Sequence, residues 1–248
     1  MTERLHHHIT MPAEYWAHPW PQVAELAAVA ASDTWTLVGG LMVQLHAIRN
    51  DVGSIRPTTD VDALLHLETG AVSKAAFVGK LGTLGYRLQD QVQPGMQELH
   101  YVRDGSMVDV MVADHVAPRV MAERGGRNTF QVPGGTQALK RTELATITPP
   151  TGAPFTLSVP NLIGALMLKS AAYTGDSRDR GRHLGDSVVL LACITDPRAL
   201  AGTFAGSDRS RISTLAKALK DKNSEHWLAL DPAPRDRARR VLGILAAA

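Results

Sequence analysis

Three aspartates carry the strongest chemical signal in this chain. Asp60 and Asp62 stand two residues apart in Thr58-Thr59-Asp60-Val61-Asp62-Ala63-Leu64-Leu65, a stretch that reads as a strand. Side chains two apart on a strand share a face. The two carboxylates therefore project together and repel each other unless a cation lies between them. Hard divalent cations such as Mg2+ take oxygen ligands and keep substrate phosphates in their shell. Asp109 interrupts an otherwise apolar run, Met107-Val108-Asp109-Val110-Met111-Val112. An aspartate inside such a strand is costly unless paired, solvated in a cleft or bound to metal. Either Asp109 joins the other two, or it sits exposed on an edge strand.

The elements that must position these groups follow from the surrounding text. Trp35-Thr36-Leu37-Val38 is a short apolar run stopped by Gly39-Gly40, and from Leu41 the apolar residues Leu41, Leu45 and Ile48 recur at helical spacing. Strand, Gly-Gly, helix start is a geometry in which backbone N–H groups and the helix dipole can face a phosphate. Gly70 to Leu84 reads as a further helix, and Pro21 to Ala31 as an earlier one opened by its proline. Tyr86-Arg87-Leu88 and Glu98-Leu99-His100-Tyr101-Val102 are extended. The second runs through a turn, Arg103-Asp104-Gly105-Ser106, into the Asp109 strand as a hairpin.

Pro149, Pro150, Gly152 and Pro154 mark the sharpest shift in composition. They divide the chain into a first domain, residues 1–152, and a mainly helical second domain, residues 153–248. In the second, Pro160 to Tyr173 is a helix carrying Lys169 among Leu166, Met167, Leu168, Ala171 and Ala172. That lysine lies at a boundary, snorkels, or is held in a cleft to meet an anion. His183 begins another helix with Asp186 near its N-terminal turn, where a carboxylate is stabilised by the helix dipole.

Composition bounds the remaining possibilities. The chain has 248 residues, 44% hydrophobic and 20% charged, as in an ordinary globular protein. No apolar run approaches the roughly 20 residues of a membrane span, and no secretory signal is evident. A lone Cys193 in an apolar run reads as a buried thiol. The cytoplasm is the default location. A formal charge of +2 neither demands nor excludes a nucleic-acid partner. Local arginine clusters stand at Arg119, Arg124 and Arg127, at Arg178, Arg180, Arg182 and His183, and at Arg235, Arg237, Arg239 and Arg240. The last is expected to be a solvated helix face. His6, His7 and His8 read as a frayed terminus.

Gly39-Gly40, then Arg56-Pro57-Thr58-Thr59-Asp60-Val61-Asp62, then Asp109, together resemble the DNA-polymerase-β-type nucleotidyltransferase superfamily. With Lys169 and Asp186 downstream, the set is similar to the AbiEii/MenT-like nucleotidyltransferase toxins of bacterial toxin–antitoxin and phage-defence systems, over roughly Leu37 to Leu191. Two departures stand out: Gly40 replaces a serine common in active members, and the segment before Asp186 reads Arg180-Gly181-Arg182-His183-Leu184-Gly185 rather than a Lys- and Asp-rich motif.

The resemblance implies an α+β fold, a mixed-sheet polymerase-β-type domain followed by a helical domain, and transfer of a nucleoside monophosphate from an NTP with release of pyrophosphate. It implies two Mg2+ ions, or Mn2+, with Asp60 and Asp62 on both and Asp109 on the ion that activates the acceptor, where Asp109 can also act as general base. Gly39 and Gly40 would cradle the β- and γ-phosphates, with Arg56 and Thr59 also nucleotide-binding. Arg56 either positions Asp60 or contacts the nucleotide. Lys169 would neutralise the triphosphate, and Asp186 would orient Lys169, the base or the ribose. Relatives modify the 3′ end of tRNA, which suits the arginine clusters, and act opposite a cognate antitoxin. A small hydroxylated acceptor of the aminoglycoside type, or a protein hydroxyl, is the alternative. A non-catalytic nucleotide- or partner-binding module is the third.

Overall fold

The structure, a computed structural model, describes residues 4–53, 56–89, 99–177 and 179–248. Glu98 of the expected strand and Arg178 of the second arginine cluster lie outside the described residues. It is a mixed α/β protein with, among the described residues, a nine-stranded mixed sheet and eleven α-helices. Contacts divide it into two units: residues 1–41 with 57–160, and residues 42–56 with 161–248.

The first unit holds the sheet. Its strands are β1 (His6–Thr10), β2 (Trp35–Leu37), β3 (Asp60–Leu65), β4 (Arg87–Leu88), β5 (His100–Arg103), β6 (Ser106–Ala113), β7 (Phe130–Val132), β8 (Thr142–Thr148) and β9 (Phe155–Pro160). They run in the order β1-β8-β9-β2-β3-β6-β5-β4. Strand β3 pairs antiparallel with β2 and parallel with β6. The other edge of β6 is shared: β5 pairs antiparallel with its first half and β7 parallel with its second. Asp109 therefore lies on an interior strand, not an edge.

The expected hairpin forms, with Asp104 at φ 47° and Gly105 at φ 79° closing Arg103 onto Ser106. Two consecutive left-handed residues match the right-handed twist of paired strands. The residues from Pro149 to Pro154 connect β8 to β9, which pair antiparallel in the same sheet. Helices α1 (Trp20–Val29), α3 (Lys74–Thr83), α4 (Pro118–Glu123) and α5 (Gly135–Leu139) complete this unit. Helix α2 (Gly39–Arg49) starts here, and from Met42 its residues belong to the second unit. Val61, Ala63 and Leu65 on one face of β3, with Val108 and Val110 on β6, are almost fully buried. Trp35 and Phe77 pack with ring centroids 6.4 Å apart.

One expectation is overturned at the N-terminus. His6, His7 and His8 are not frayed: they form β1, parallel to β8. The pairing is anchored by His7 Nε2, 3.1 Å from the buried Glu143 carboxylate, and by His6 Nε2, 2.8 Å from Thr146 Oγ1. Polar residues on a sheet edge lack the apolar alternation that reveals interior strands.

The second unit is helical after Met42: α6 (Leu162–Gly175), α7 (Arg180–Ala192), α8 (Pro197–Ala201), α9 (Asp208–Ala218), α10 (Glu225–Leu228) and α11 (Pro232–Ala246). Its core includes Leu166, Val188, Leu190, Leu191, Ile212, Leu215, Trp227 and Val241. Pro160 ends β9 rather than opening α6, whose N-cap is Asn161 accepting from the Gly164 N–H. Helix α7 begins at Arg180, capped by Asp179, so Asp186 lies in mid-helix and the helix-dipole role expected for it does not apply. No helix of the described residues is long and apolar enough to cross a membrane.

Candidate metal centre

Register alone assembles the carboxylates. In the parallel β3/β6 ladder Asp62 stands directly beside Asp109, and Asp60 lies two residues along β3 on the same face. One carboxylate oxygen from each of Asp60, Asp62 and Asp109 lies within 4.8 Å of the others. Three like charges this close disfavour one another. Burial pushes the Asp109 carboxyl above the usual range, the bond from His100 pulls the other way, and Asp60 adds to the rise. An all-oxygen donor set of this kind fits a hard divalent cation, which would relieve both the repulsion and the desolvation.

Gly39 makes the approach possible. Val38 N–H bonds the Asp62 carbonyl at 3.0 Å, which brings the end of β2 beside Asp62. Gly39 then turns with φ +67°, and a Cβ there would lie 1.6 Å from Asp62 Oδ2. Only glycine leaves room for that carboxylate and adopts the left-handed conformation without strain. Gly40 faces a different neighbour: a Cβ would meet Thr58 Cβ and Oγ1 at 2.8 Å. Thr58 Oγ1 in turn donates to Asp60 Oδ1 at 2.6 Å. Each glycine therefore packs against a group of the acidic cluster. Thr59 is exposed just before β3.

Two residues of this cluster escaped the sequence reading as site residues. One is Thr58, through its bond to Asp60. The other is His100, the cross-strand partner of Asp109, with Nδ1 2.7 Å from Asp109 Oδ1. The signal was present: counting back from the two-residue turn Asp104-Gly105 places His100 opposite Asp109.

The second unit brings the other expected residues together. Asp186 Oδ2 lies 2.7 Å from Lys169 Nζ, and Asp186 Oδ1 accepts from Arg56 Nε at 3.3 Å. Both Lys169 and Asp186 are buried, so Lys169 neither snorkels nor stands at a boundary. Burial pushes the Asp186 carboxyl up, but Lys169 and then Arg56 outweigh it and hold the group below its ordinary value. The basic segment beside them is partly neutralised: Asp176 Oδ2 lies 3.0 Å from an Arg182 guanidinium nitrogen and 3.1 Å from His183 Nε2.

Comparison of the chain with protein-family models, with curated proteins and with solved structures gives no match.

Proposed function

We propose that the chain is a metal-dependent nucleotidyltransferase of the polymerase-β type, transferring a nucleoside monophosphate from an NTP to the 3′ end of tRNA as the toxin of a toxin–antitoxin or phage-defence system. The observation that carries this reading is the convergence of Asp60, Asp62 and Asp109, one carboxylate oxygen from each within 4.8 Å of the others, next to a glycine turn where a side chain at Gly39 would collide with Asp62. Asp60, Asp62 and Asp109 would hold Mg2+, which would supply Lewis acidity at the phosphoryl oxygens and lower the pKa of an acceptor hydroxyl. The start of α2 offers helix N-terminal N–H groups suited to phosphate oxygens. In the reaction the acceptor oxygen bonds to the α-phosphorus. The bond from that phosphorus to the bridging oxygen of the β-phosphate breaks, and pyrophosphate leaves with the electron pair. Asp109 is positioned among the carboxylates to accept the hydroxyl proton. The exposed Arg127, and Arg119 beside its partner Glu123 at 2.7 Å, support an RNA acceptor, since phosphate contacts dominate such binding.

The test is incubation of the purified protein with bulk tRNA, Mg2+ and each labelled NTP in turn, beside Asp60→Ala. Label on tRNA from one NTP, lost in the variant, is the expected result. Label on a small hydroxylated molecule or a protein instead, or none on tRNA despite Mg2+-dependent NTP binding, would overturn the tRNA assignment. Absence of NTP binding would overturn the enzyme.

A further inference from the structure

His100 has no part in the reaction just described, yet it stands in one row with the carboxylates. Across β3, β6 and β5 the ladder sets Asp62, Asp109 and His100 side by side, so their side chains share a face, while Tyr101 points to the other. His100 Nδ1 lies 2.7 Å from Asp109 Oδ1; the histidine side chain is 45% exposed and the aspartate 11%. This is not an exposed pair of the kind that contributes little. The acceptor is withdrawn from water, and a buried carboxylate oxygen without a donor is costly. The carboxylate is also pressed by two neighbours of its own charge. Without a tether, rotation about its side-chain bonds would carry Asp109 away from Asp60 and Asp62.

Resting on the metal-centre reading above, we propose that His100 is a positioning residue: its Nδ1–H tethers Oδ1 of Asp109 and leaves Oδ2 in place to ligate the cation. Donors behind metal-ligating carboxylates govern affinity in this way, and their loss costs about 10–100-fold. The required histidine is the neutral tautomer protonated at Nδ1, or the imidazolium; both present the N–H at the atom nearest Asp109.

The experiment measures Mn2+ affinity of the full-length protein by the electron paramagnetic resonance signal of the free ion. Wild type is compared with His100→Leu, which removes the donor, and His100→Asn, whose side-chain N–H2 branches from the same carbon as Nδ1. Thermal melts of the metal-free proteins run in parallel. The expected result is a 10–100-fold weaker affinity for the leucine variant and recovery to within a few-fold for asparagine, with all three proteins folded. A leucine variant that binds Mn2+ like wild type would overturn the role of His100 while leaving the metal centre standing. Equal weakening in both variants would overturn the hydrogen bond as its basis. A wild-type protein that binds no Mn2+ would overturn the metal centre itself, and the tether with it.

Discussion

The Asp62 carboxylate fills the space that a side chain on Gly39 would need: a Cβ on Gly39 would fall 1.6 Å from Asp62 Oδ2. At φ +67° the backbone is also in a region that other residues enter at a cost of about 1 kcal/mol or more. Gly39→Ala is therefore expected to displace the carboxylate as well as strain the turn. The variant should lose about 1–3 kcal/mol of stability and bind Mn2+ at least about 10-fold more weakly. Urea unfolding and a metal titration check the two effects separately. A variant with unchanged Mn2+ affinity would show that the turn does not shape the centre.

The acidic cluster predicts opposite signs for stability and activity. Asp109 is buried and its carboxyl is raised chiefly by that burial. Asp109→Asn relieves both desolvation and repulsion, so the metal-free protein should become more stable by about 1 kcal/mol. On the function proposed above, nucleotidyl transfer should fall by at least about 100-fold, because Asp109 would serve there as a ligand rather than as the support of one. Melting in chelator, followed by a transfer assay, measures both. A destabilised metal-free variant would contradict the account of crowded carboxylates.

The buried pair Lys169–Asp186 should behave unlike a surface ion pair. Removing Asp186 alone, as in Asp186→Leu, leaves the Lys169 ammonium buried, and a loss of about 3–5 kcal/mol is expected. The double variant Lys169→Met with Asp186→Leu should recover much of that loss, because no buried charge is left uncompensated and the Arg56 side chain, 44% exposed, is open to water. A double-mutant cycle in urea decides it. Equal losses in the single and double variants would show that the pair does not act as a unit.

His66 predicts an acid-sensitive fold. Burial, with Arg4 nearby, lowers its imidazole to about 4, and Nε2 lies 2.6 Å from Thr36 Oγ1, itself 2.9 Å from Ser158 Oγ. The folded protein therefore resists protonation that the unfolded chain accepts near pH 6.5. Stability from this group is complete above pH 6.5 and is lost as pH falls toward 4, by up to about 3 kcal/mol. His183, lowered mainly by burial, contributes in the same direction. Chemical denaturation from pH 7.5 to 4 should show this slope, and His66→Gln should flatten part of it. An unchanged slope in the variant would assign the acid sensitivity elsewhere.

The parts of the centre that were legible in the sequence are those set by short-range alternation. Asp60 and Asp62 declare a shared face by their spacing, and Asp109 stands out as a charge in an apolar strand. What alternation cannot convey is which strands become neighbours. The pairing of β3 with β6, and so the meeting of Asp62 with Asp109, depends on contacts distant in the chain. The same limit hid β1, whose histidines gain their partners only from β8. The position of Asp186 was obscured for a local reason. Gly181, Gly185 and a run of basic residues mask the first two turns of α7, although Asp179 caps it as a helix start should be capped. The two glycines beside the acidic cluster were legible as glycines, but not the reason for them: their tightest neighbours are Asp62 and Thr58 of the chain itself.

Because Asp62 and Asp109 face each other through ladder register, the length of chain between them carries no information about the centre. Helix α3 and the connection to β5 can grow, shrink or be exchanged while the carboxylates keep their places, provided β6 keeps its alignment. A slip of β6 by one residue would do the reverse. It would swing Asp109 to the far face of the sheet and bring Val108 or Val110 among the acids, with no change in composition. The centre is thus indifferent to insertion but intolerant of misalignment.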